Sequence, residues 1–368
     1  MVNVFLYEFK KLILKTPVGF LLLCFFLLHL IHLSSDYDVI KYQELPSTQT
    51  QLENLYNCYG GEITPKTSLE VTKIREEIDF ATRQQQQAFS QYDNRQISLY
   101  ELEEILSQTT NKTKGRSAFA LFFNHYTYCS EKPVSRFLVN PQGWEFLLNT
   151  NNTGFYLIIL CVVFVAMITN LDLPTHKKNM LRCTYRGDIS ILVAKWLVAS
   201  TIAVFITIVT QFFAFLKAYI YLPLGNFSAP LQSIPEFASC PFRLSLINAF
   251  VVGSMLKAFG LLYVCSLCVS FAYMIQNTIL GTTLSMGFIF IPYFLMQTDQ
   301  KYLLFPSPIG FVEGYKYLQG TIGEIALSPQ ILIFILSGAC LIIALCGCLA
   351  YCKLRATLLW RRKYETDD

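Results

Sequence analysis

The stretch DLPTHKKNMLRCTYRGDISI, Asp172 to Ile191, decides how this chain is laid out. It is polar, lies between two long apolar runs, and carries Lys177, Lys178, Arg182 and Arg186 with His176 beside them. Short cationic loops stay on the cytoplasmic face of a membrane, so this bridge sets the topology of the segments around it. Read as a helix from Lys177 to Tyr185, it places Met180, Leu181 and Thr184 on one face, with Gly187 as a C-terminal stop. An apolar stripe in a cationic surround suits docking to another protein. A merely solvated basic loop is the other reading of the same residues.

Outward from the bridge, composition fixes the class. The chain has 368 residues, 53% of them hydrophobic and 15% charged, with a mean hydropathy of +0.41. These values indicate an integral membrane protein. The net charge of +4 is small, and its cations sit in short loops beside apolar runs, a pattern of membrane orientation rather than nucleic-acid binding.

A hydrocarbon core of about 30 Å takes roughly 20 apolar residues per helix. Six segments qualify, at about 17–35, 154–171, 190–222, 246–275, 278–297 and 330–352. The third and fourth exceed one bilayer thickness and must tilt or begin at the interface. Lys10, Lys11 and Lys15, the four cations of the bridge, and Lys353, Arg355, Arg361, Arg362 and Lys363 all fall on one side of that scheme. The opposing short loops hold Arg243, Lys301 and Lys316. Both termini are therefore expected in the cytoplasm, with the protein multi-pass in the plasma membrane.

The first span has a competing reading as a signal peptide, but no A-x-A-like site closes it. Before it, residues 1–16 form an amphipathic elbow helix, with Phe5, Phe9, Leu12 and Ile13 set against Glu8, Lys10, Lys11 and Lys15. Residues 36–153 are too long and polar for a hairpin and make an extracytoplasmic domain. Val71, Ile74, Ile78, Ala81, Gln85, Ala88 and Tyr92 recur at heptad spacing. A second helix is expected over Ser98–Gln108 with a Ser98/Glu101 capping box, and a third over Ser117–Cys129. Gln85 makes the seam polar, so packing there is expected to be imperfect or shared with a partner copy. The fold class is thus all-α: six transmembrane helices, an N-terminal elbow helix and a helical extracytoplasmic insert between the first two spans. Spans two to six occupy 154–352, the bridge helix lies near 176–188, and 353–368 is a cytoplasmic tail.

Of the twelve cysteines, eight lie in or beside apolar spans and read as packing, the Cys265-x-x-Cys268 pair included. Cys58 and Cys129 flank the helical insert and could bridge its two ends, or remain free thiols. No P-loop, HExxH or GxSxG motif is present, so no catalytic residue and no metal site is assigned. His29 and His32 are read as a wet helix end rather than ligands. Lys195 and Lys217, near opposite ends of the third span, are expected to snorkel to the two interfaces. Lys257 lies about 18 Å along the fourth span, counted from Ser245. Either it lines a cavity, or the span starts nearer Phe250. Gln211 and Asn248 are weaker members of the same possible translocation path, with Gln276 raising the same question.

Taken together, the elbow helix, the acidic Asp172 at the exit of the second span, the run Met180-Leu181-Arg182-x-Thr184-Tyr185-Arg186-Gly187 and the Ile191–Lys195 opening of the third span resemble the permease subunits of ABC type-2 exporters, also called type V ABC transporters. The tight turn at Gln276-Asn277 and the Pro306-Ser307-Pro308 loop agree. The large 36–153 insert departs from the simplest members. The resemblance implies that Asp172, Leu181, Arg182, Thr184, Tyr185, Arg186 and Gly187 form a coupling helix seated on an ATPase subunit. It also implies two ATPase copies, a second permease that is identical or homologous, membrane lipids around the spans, and no nucleic acid. No cofactor is expected on this chain; ATP and Mg belong to the partner. A hydrophobic or amphipathic substrate (a peptide, an antimicrobial or a lipid-like molecule) follows from the aromatic-rich spans. A sensor whose insert binds a ligand is the alternative.

Overall fold

The structure, a computed structural model, describes residues 2–15, 17–42, 46–132, 136–149, 154–170, 187–275, 277–322 and 325–365. The chain is nearly all-α. In order, the helices are α1 (Val2–Lys15), α2 (Val18–Tyr42), α3 (Pro46–Tyr59), α4 (Pro65–Asp93), α5 (Leu99–Thr113), α6 (Arg116–Glu131) and α7 (Pro141–Asn149). The apolar helices α8 (Gly154–Asn170), α9 (Gly187–Tyr221), α10 (Leu246–Ile275) and α11 (Thr278–Leu295) follow, then the short α12 (Pro308–Val312) and the long α13 (Pro329–Glu365).

Three of these are long and apolar enough to cross a membrane: Ile189–Tyr221, Leu246–Ile275 and Pro329–Lys353. Gly19–Ile31, Gly154–Thr169 and Ile279–Leu295 are apolar but shorter, below the length that one straight crossing of the hydrocarbon core needs. The protein is membrane-embedded. α10 is the central helix: α8, α9, α11 and α13 all pack on it. Its apolar face is enclosed by Leu157, Val165, Ile206, Ile289 and Ile335 from those neighbours.

Residues 46–149 form the polar helical unit. α4 starts at the Thr64 cap, whose hydroxyl accepts from Thr67 N (3.2 Å), with Pro65 at the first helical position. Its heptad face turns inward on α5 and α6: Val71, Ala81 and Ala88 are buried, Ile74 and Ile78 half-buried, and only Tyr92 is exposed. The capping box forms, with Ser98 N donating to Glu101 Oε2 (2.7 Å) and Glu101 N to Ser98 Oγ (3.3 Å). Gln85 corrects the expectation of an imperfect seam. Its Nε2 donates to the hydroxyls of Thr109 (2.9 Å) and Thr113 (3.2 Å) on α5, so the polar position is satisfied within the chain. Two helices, α3 and α7, have no counterpart in the sequence reading. α3 supplies Leu52 and Tyr56 to a core completed by Phe119, Phe122 and Tyr126 of α6.

Of the two readings left open for Cys58 and Cys129, the structure has the free thiols, Cys58 exposed and Cys129 buried. The thiol of Cys129 instead faces His125 Nε2 (3.5 Å) and the Ser233 carbonyl (3.7 Å). A two-stranded antiparallel clasp, β1 (Gly61–Glu62) with β2 (Phe137–Leu138), holds the ends of the unit together.

Two details of the amphipathic and histidine readings also change. On α1, Leu12 and Glu8 are buried and Ile13 is exposed; the helix docks on α9, and Glu8 pairs with Lys11 (3.7 Å). On α2, His29 is not at a wet end. It is buried, stacked on Phe25, with Nε2 toward the Thr210 carbonyl (3.4 Å).

Between α11 and α13 the chain turns back onto α10. Ser307 caps α12, a 3-10 turn spans Gly314–Gln319, and this return segment lies against α10 because glycines let the backbones meet. A Cβ on Gly260 would stand 2.6 Å from Val312 N, and one on Gly314 would stand 2.5 Å from Leu256 Cβ. Gly260→Ala should therefore lower the melting temperature of the detergent-solubilised protein, by an overpacking cost of about 1–3 kcal/mol. Gly347→Ala, where nothing lies within 4 Å, should leave it level or raise it through helix propensity. Equal melting of the two variants would contradict this packing.

Candidate functional site

Lys257 sits on α10 between Gly253 and Gly260, four residues before and three after, and so on the face that receives the return segment. The Tyr315 ring covers Gly253 so closely that a Cβ there would stand 1.9 Å from it. Lys257 is 1% exposed. It lies about 17 Å into a helix that starts at Leu246, so the later start near Phe250 is not adopted. Its ammonium stands over the Tyr315 ring, 5.6 Å from the centroid, and has no hydrogen-bonding partner among the described residues.

Around it is a small polar network inside apolar packing. The Tyr315 hydroxyl donates to Gln211 Oε1 on α9 (2.9 Å) and lies 3.2 Å from Ser254 Oγ, which itself donates to the Phe250 carbonyl (2.8 Å). The return segment adds one carboxylate, Glu313. It accepts from the Tyr302 hydroxyl and forms an ion pair with Lys316 (2.9 Å). Burial, and then the Glu313 charge, push the Tyr302 phenol well above its ordinary range, so it keeps its proton and donates.

Of the three path residues read from sequence, Lys257 and Gln211 are brought together through Tyr315. Asn248 is exposed near the start of α10 and takes no part. Tyr315, Ser254 and Glu313 were missed. Glu313 was visible only as a lone acid at i,i+3 from Lys316 in a segment read as an outer loop.

Asp172, Leu181, Arg182, Thr184, Tyr185 and Arg186 lie outside the described residues, as does Gln276; Gly187 is the first residue of α9. The two ends of that bridge meet. Lys195, near the start of α9, is fully buried, and its Nζ donates to the carbonyls of Ile168 (2.9 Å) and Thr169 (3.5 Å) at the end of α8. This corrects the snorkelling expectation: the cation caps the carbonyl end of the neighbouring helix, where the helix dipole favours it. Lys217 is half-buried. Trp196 Nε1 donates to Ser266 Oγ (2.7 Å), and Lys353 Nζ donates to the Met274 carbonyl. The ends of α8 and α10, the start of α9 and Lys353 of α13 therefore share one end of the bundle.

The polar helical unit docks at the other end. His125 Nε2 donates to the Ser233 carbonyl (2.8 Å), which can only accept, so Nδ1 accepts a hydrogen bond from the Tyr56 hydroxyl (2.8 Å). Tyr128 donates to the Gln232 carbonyl (2.8 Å). Gln232 is held by its own amide donating to the Cys240 (3.1 Å) and Phe242 (2.7 Å) carbonyls. Trp144 of α7 packs edge-on against Phe227 of the same loop (5.5 Å). Burial pushes the Glu145 carboxyl up to about 7, reinforced by the Glu236 charge.

Comparison with protein-family models, with curated proteins and with solved structures finds no match to this chain. The functional reading therefore rests on the residues themselves.

Burial lowers the His125 pKa below its ordinary 6.5, opposed by the bond to Ser233. A neutral ring is thus favoured in the docked state: docking is at full strength above pH 6.5 and weakens as pH falls below it. Glu145 acts in the opposite sense, taking a proton as pH falls through about 7 and relieving its repulsion by Glu236. Hydrogen-exchange protection of α6, corrected for intrinsic rates, should fall between pH 7 and 5 in Glu145→Gln, where His125 acts without that opposing carboxyl. It should lose this fall when His125→Gln is added. Identical profiles for the two would remove His125 from the docking contact.

Proposed function

We propose that this chain is the membrane-spanning permease subunit of an ATP-driven exporter of the ABC type-2 kind, moving a hydrophobic or amphipathic substrate. The six spans of this reading are α2, α8, α9, α10, α11 and α13, in the plasma membrane with both termini cytoplasmic. A separate ATPase, in two copies, binds the coupling helix near 176–188 and carries ATP and Mg. A second permease, identical or homologous, completes the unit.

The observation that carries this reading is the Lys195 tie between α8 and α9. It brings the two helices that flank the basic bridge together at the bundle end opposite the docked polar unit. The bridge sequence, with Arg182, Arg186, Leu181 and Tyr185, has the residue types that dominate protein interfaces and that pair with carboxylates. It also emerges from the two helices that pack on α10, the helix of the buried lysine. Force applied at the bridge would reach the candidate site through that packing.

The sensor reading keeps one observation in its favour: the polar unit is fastened to the loop before α10 by buried hydrogen bonds, as a ligand-responsive domain would be. One experiment separates the two. The tagged chain purified from its own membranes should bring down an ATP-hydrolysing polypeptide. Replacing Tyr185 and Arg186 with alanine should cut that recovery about tenfold or more while leaving chain yield unchanged, since one such truncation costs about 2 kcal/mol. An ATPase recovered equally by both, or none recovered by either, would end the coupling reading and leave the sensor.

A further inference from the structure

A positive charge buried within a membrane bundle is costly unless a partner compensates it. The carboxylate of the return segment, Glu313, is already engaged. Lys316 holds that carboxylate at 2.9 Å, and Tyr302 donates to it as well. Lys257 makes no hydrogen bond to it. What Lys257 does touch is the Tyr315 ring face, which supplies a modest cation–π attraction at this range and no hydrogen bond. Three ammonium protons and a surplus positive charge thus sit 1% exposed among apolar helices.

We propose that Lys257 is the anchor of a binding site for an anionic amphiphile, a molecule with a phosphate or carboxylate head and an apolar tail. Lys257 takes the head as a point charge, suited to phosphate or carboxylate oxygens. Tyr315, Gln211 and Ser254 already form a hydrogen-bonded set beside it, and can turn donors toward the remaining head oxygens. The tail follows from the surroundings, since every helix packed on α10 presents aliphatic or aromatic side chains.

Access needs the return segment to move. Its contact with α10 centres on Gly253, Gly260 and Gly314, where the Tyr315 ring, the Val312 backbone and Leu256 lie close, so the Tyr315 ring leaves Gly253 as the segment moves. The Glu313–Lys316–Tyr302 cluster lies within the return segment and the turn before it, so it travels with them and need not break. As a statement about cargo this rests on the transport reading. As a statement about binding it stands on the geometry alone.

The test uses the full chain in phosphatidylcholine nanodiscs, with dodecyl phosphate as probe, dodecanol and inorganic phosphate as comparisons, and Lys257→Met as the variant. Methionine keeps the length and apolar stem and removes the charge. Dodecyl phosphate should bind the wild type and raise its melting temperature. Lys257→Met should weaken that binding about tenfold or more, the cost of one charge-assisted hydrogen bond. Dodecanol should bind weakly to both, and inorganic phosphate to neither. Without ligand the variant should melt at or above the wild type, because an uncompensated buried charge has been removed. Equal binding of dodecyl phosphate by wild type and variant would overturn the site. Equal binding of inorganic phosphate would overturn the amphiphile assignment. A variant that melts well below the wild type would show the ammonium to be a structural partner of Glu313 and overturn the proposal too. If dodecyl phosphate binds through Lys257 but no ATPase accompanies the chain, the transport reading fails and this one stands; an ATPase with unaltered Lys257→Met binding is the converse.

Discussion

The close approach of the return segment to α10 is the contact on which the rest of the interior depends. Backbone within a membrane bundle must have its polar groups satisfied by protein, so a non-spanning segment is tolerated there only if it is itself folded and tightly covered. Residues 308–319 meet that condition with two short helical pieces. Their placement is set by Gly253, Gly260 and Gly314, where any side chain would collide with the Tyr315 ring, the Val312 backbone or Leu256. The cost of glycine in a helix interior is roughly 0.5–1 kcal/mol each. That cost is offset by the burial of Tyr317, Phe311 and Val312 in one cluster and of Tyr315 in the cluster beside it. The tyrosines are held at both ends: Tyr317 donates to the Leu303 carbonyl (2.9 Å), and Tyr263 of α10 donates to the Pro306 carbonyl (3.1 Å). Without this fit Lys257 would open to lipid or water.

Much of the architecture was legible because its signals are local. Apolar length marked the helices, the heptad from Val71 to Ala88 marked the inward face of α4, and the Ser98/Glu101 box marked the start of α5. Each depends on residues within a few turns of one another. What was not legible depends on distant pairs. Lys195 reads as a snorkelling cation until the carbonyl end of α8, 27 residues earlier in sequence, is brought beside it. His29 reads as a wet helix end until Thr210 is found against it. Gln85 reads as a flaw in a seam until Thr109 and Thr113 arrive from the next helix to satisfy it. α3 and α7 escaped for a different reason. α3 is polar enough to pass for loop, and the nine residues of α7 are too few to establish a period.

The candidate site shows the same division. Lys257 was visible as a charge too deep in an apolar run, and Gln211 as its weaker analogue. Sequence spacing held no information linking them, because the link is Tyr315, 104 residues from Gln211. Asn248 has the right chemistry on the right helix, yet it faces outward; a single polar residue in an apolar run carries no sign of direction. Glu313 mattered most among the omissions, since it decides the charge balance around Lys257, and it came from a segment assigned to the outside by its lack of span-length apolar sequence.

A line of contacts joins the docked polar unit to the buried lysine. His125 and Tyr128 of α6 hold the backbone at Ser233 and Gln232, and the same loop reaches the return segment where Ser239 Oγ donates to the Gln319 carbonyl. Gly320 follows in a left-handed conformation (φ 82°), with the Ser239 carbonyl so close that a Cβ would stand 2.1 Å away. From there the chain runs back through the 3-10 segment to Tyr315, whose ring lies over Gly253 and under the Lys257 ammonium. Spatial continuity alone does not establish coupling; that requires an element with two arrangements whose balance both sites shift. The return segment is the element on this line that both sites reach, tied to the docking loop at Gln319 and seated on α10 at Gly253 and Gly260. A ligand head drawn to Lys257 and a displacement of the polar unit would act on the same twelve residues, and linkage then requires each to alter the other's free energy by the same amount.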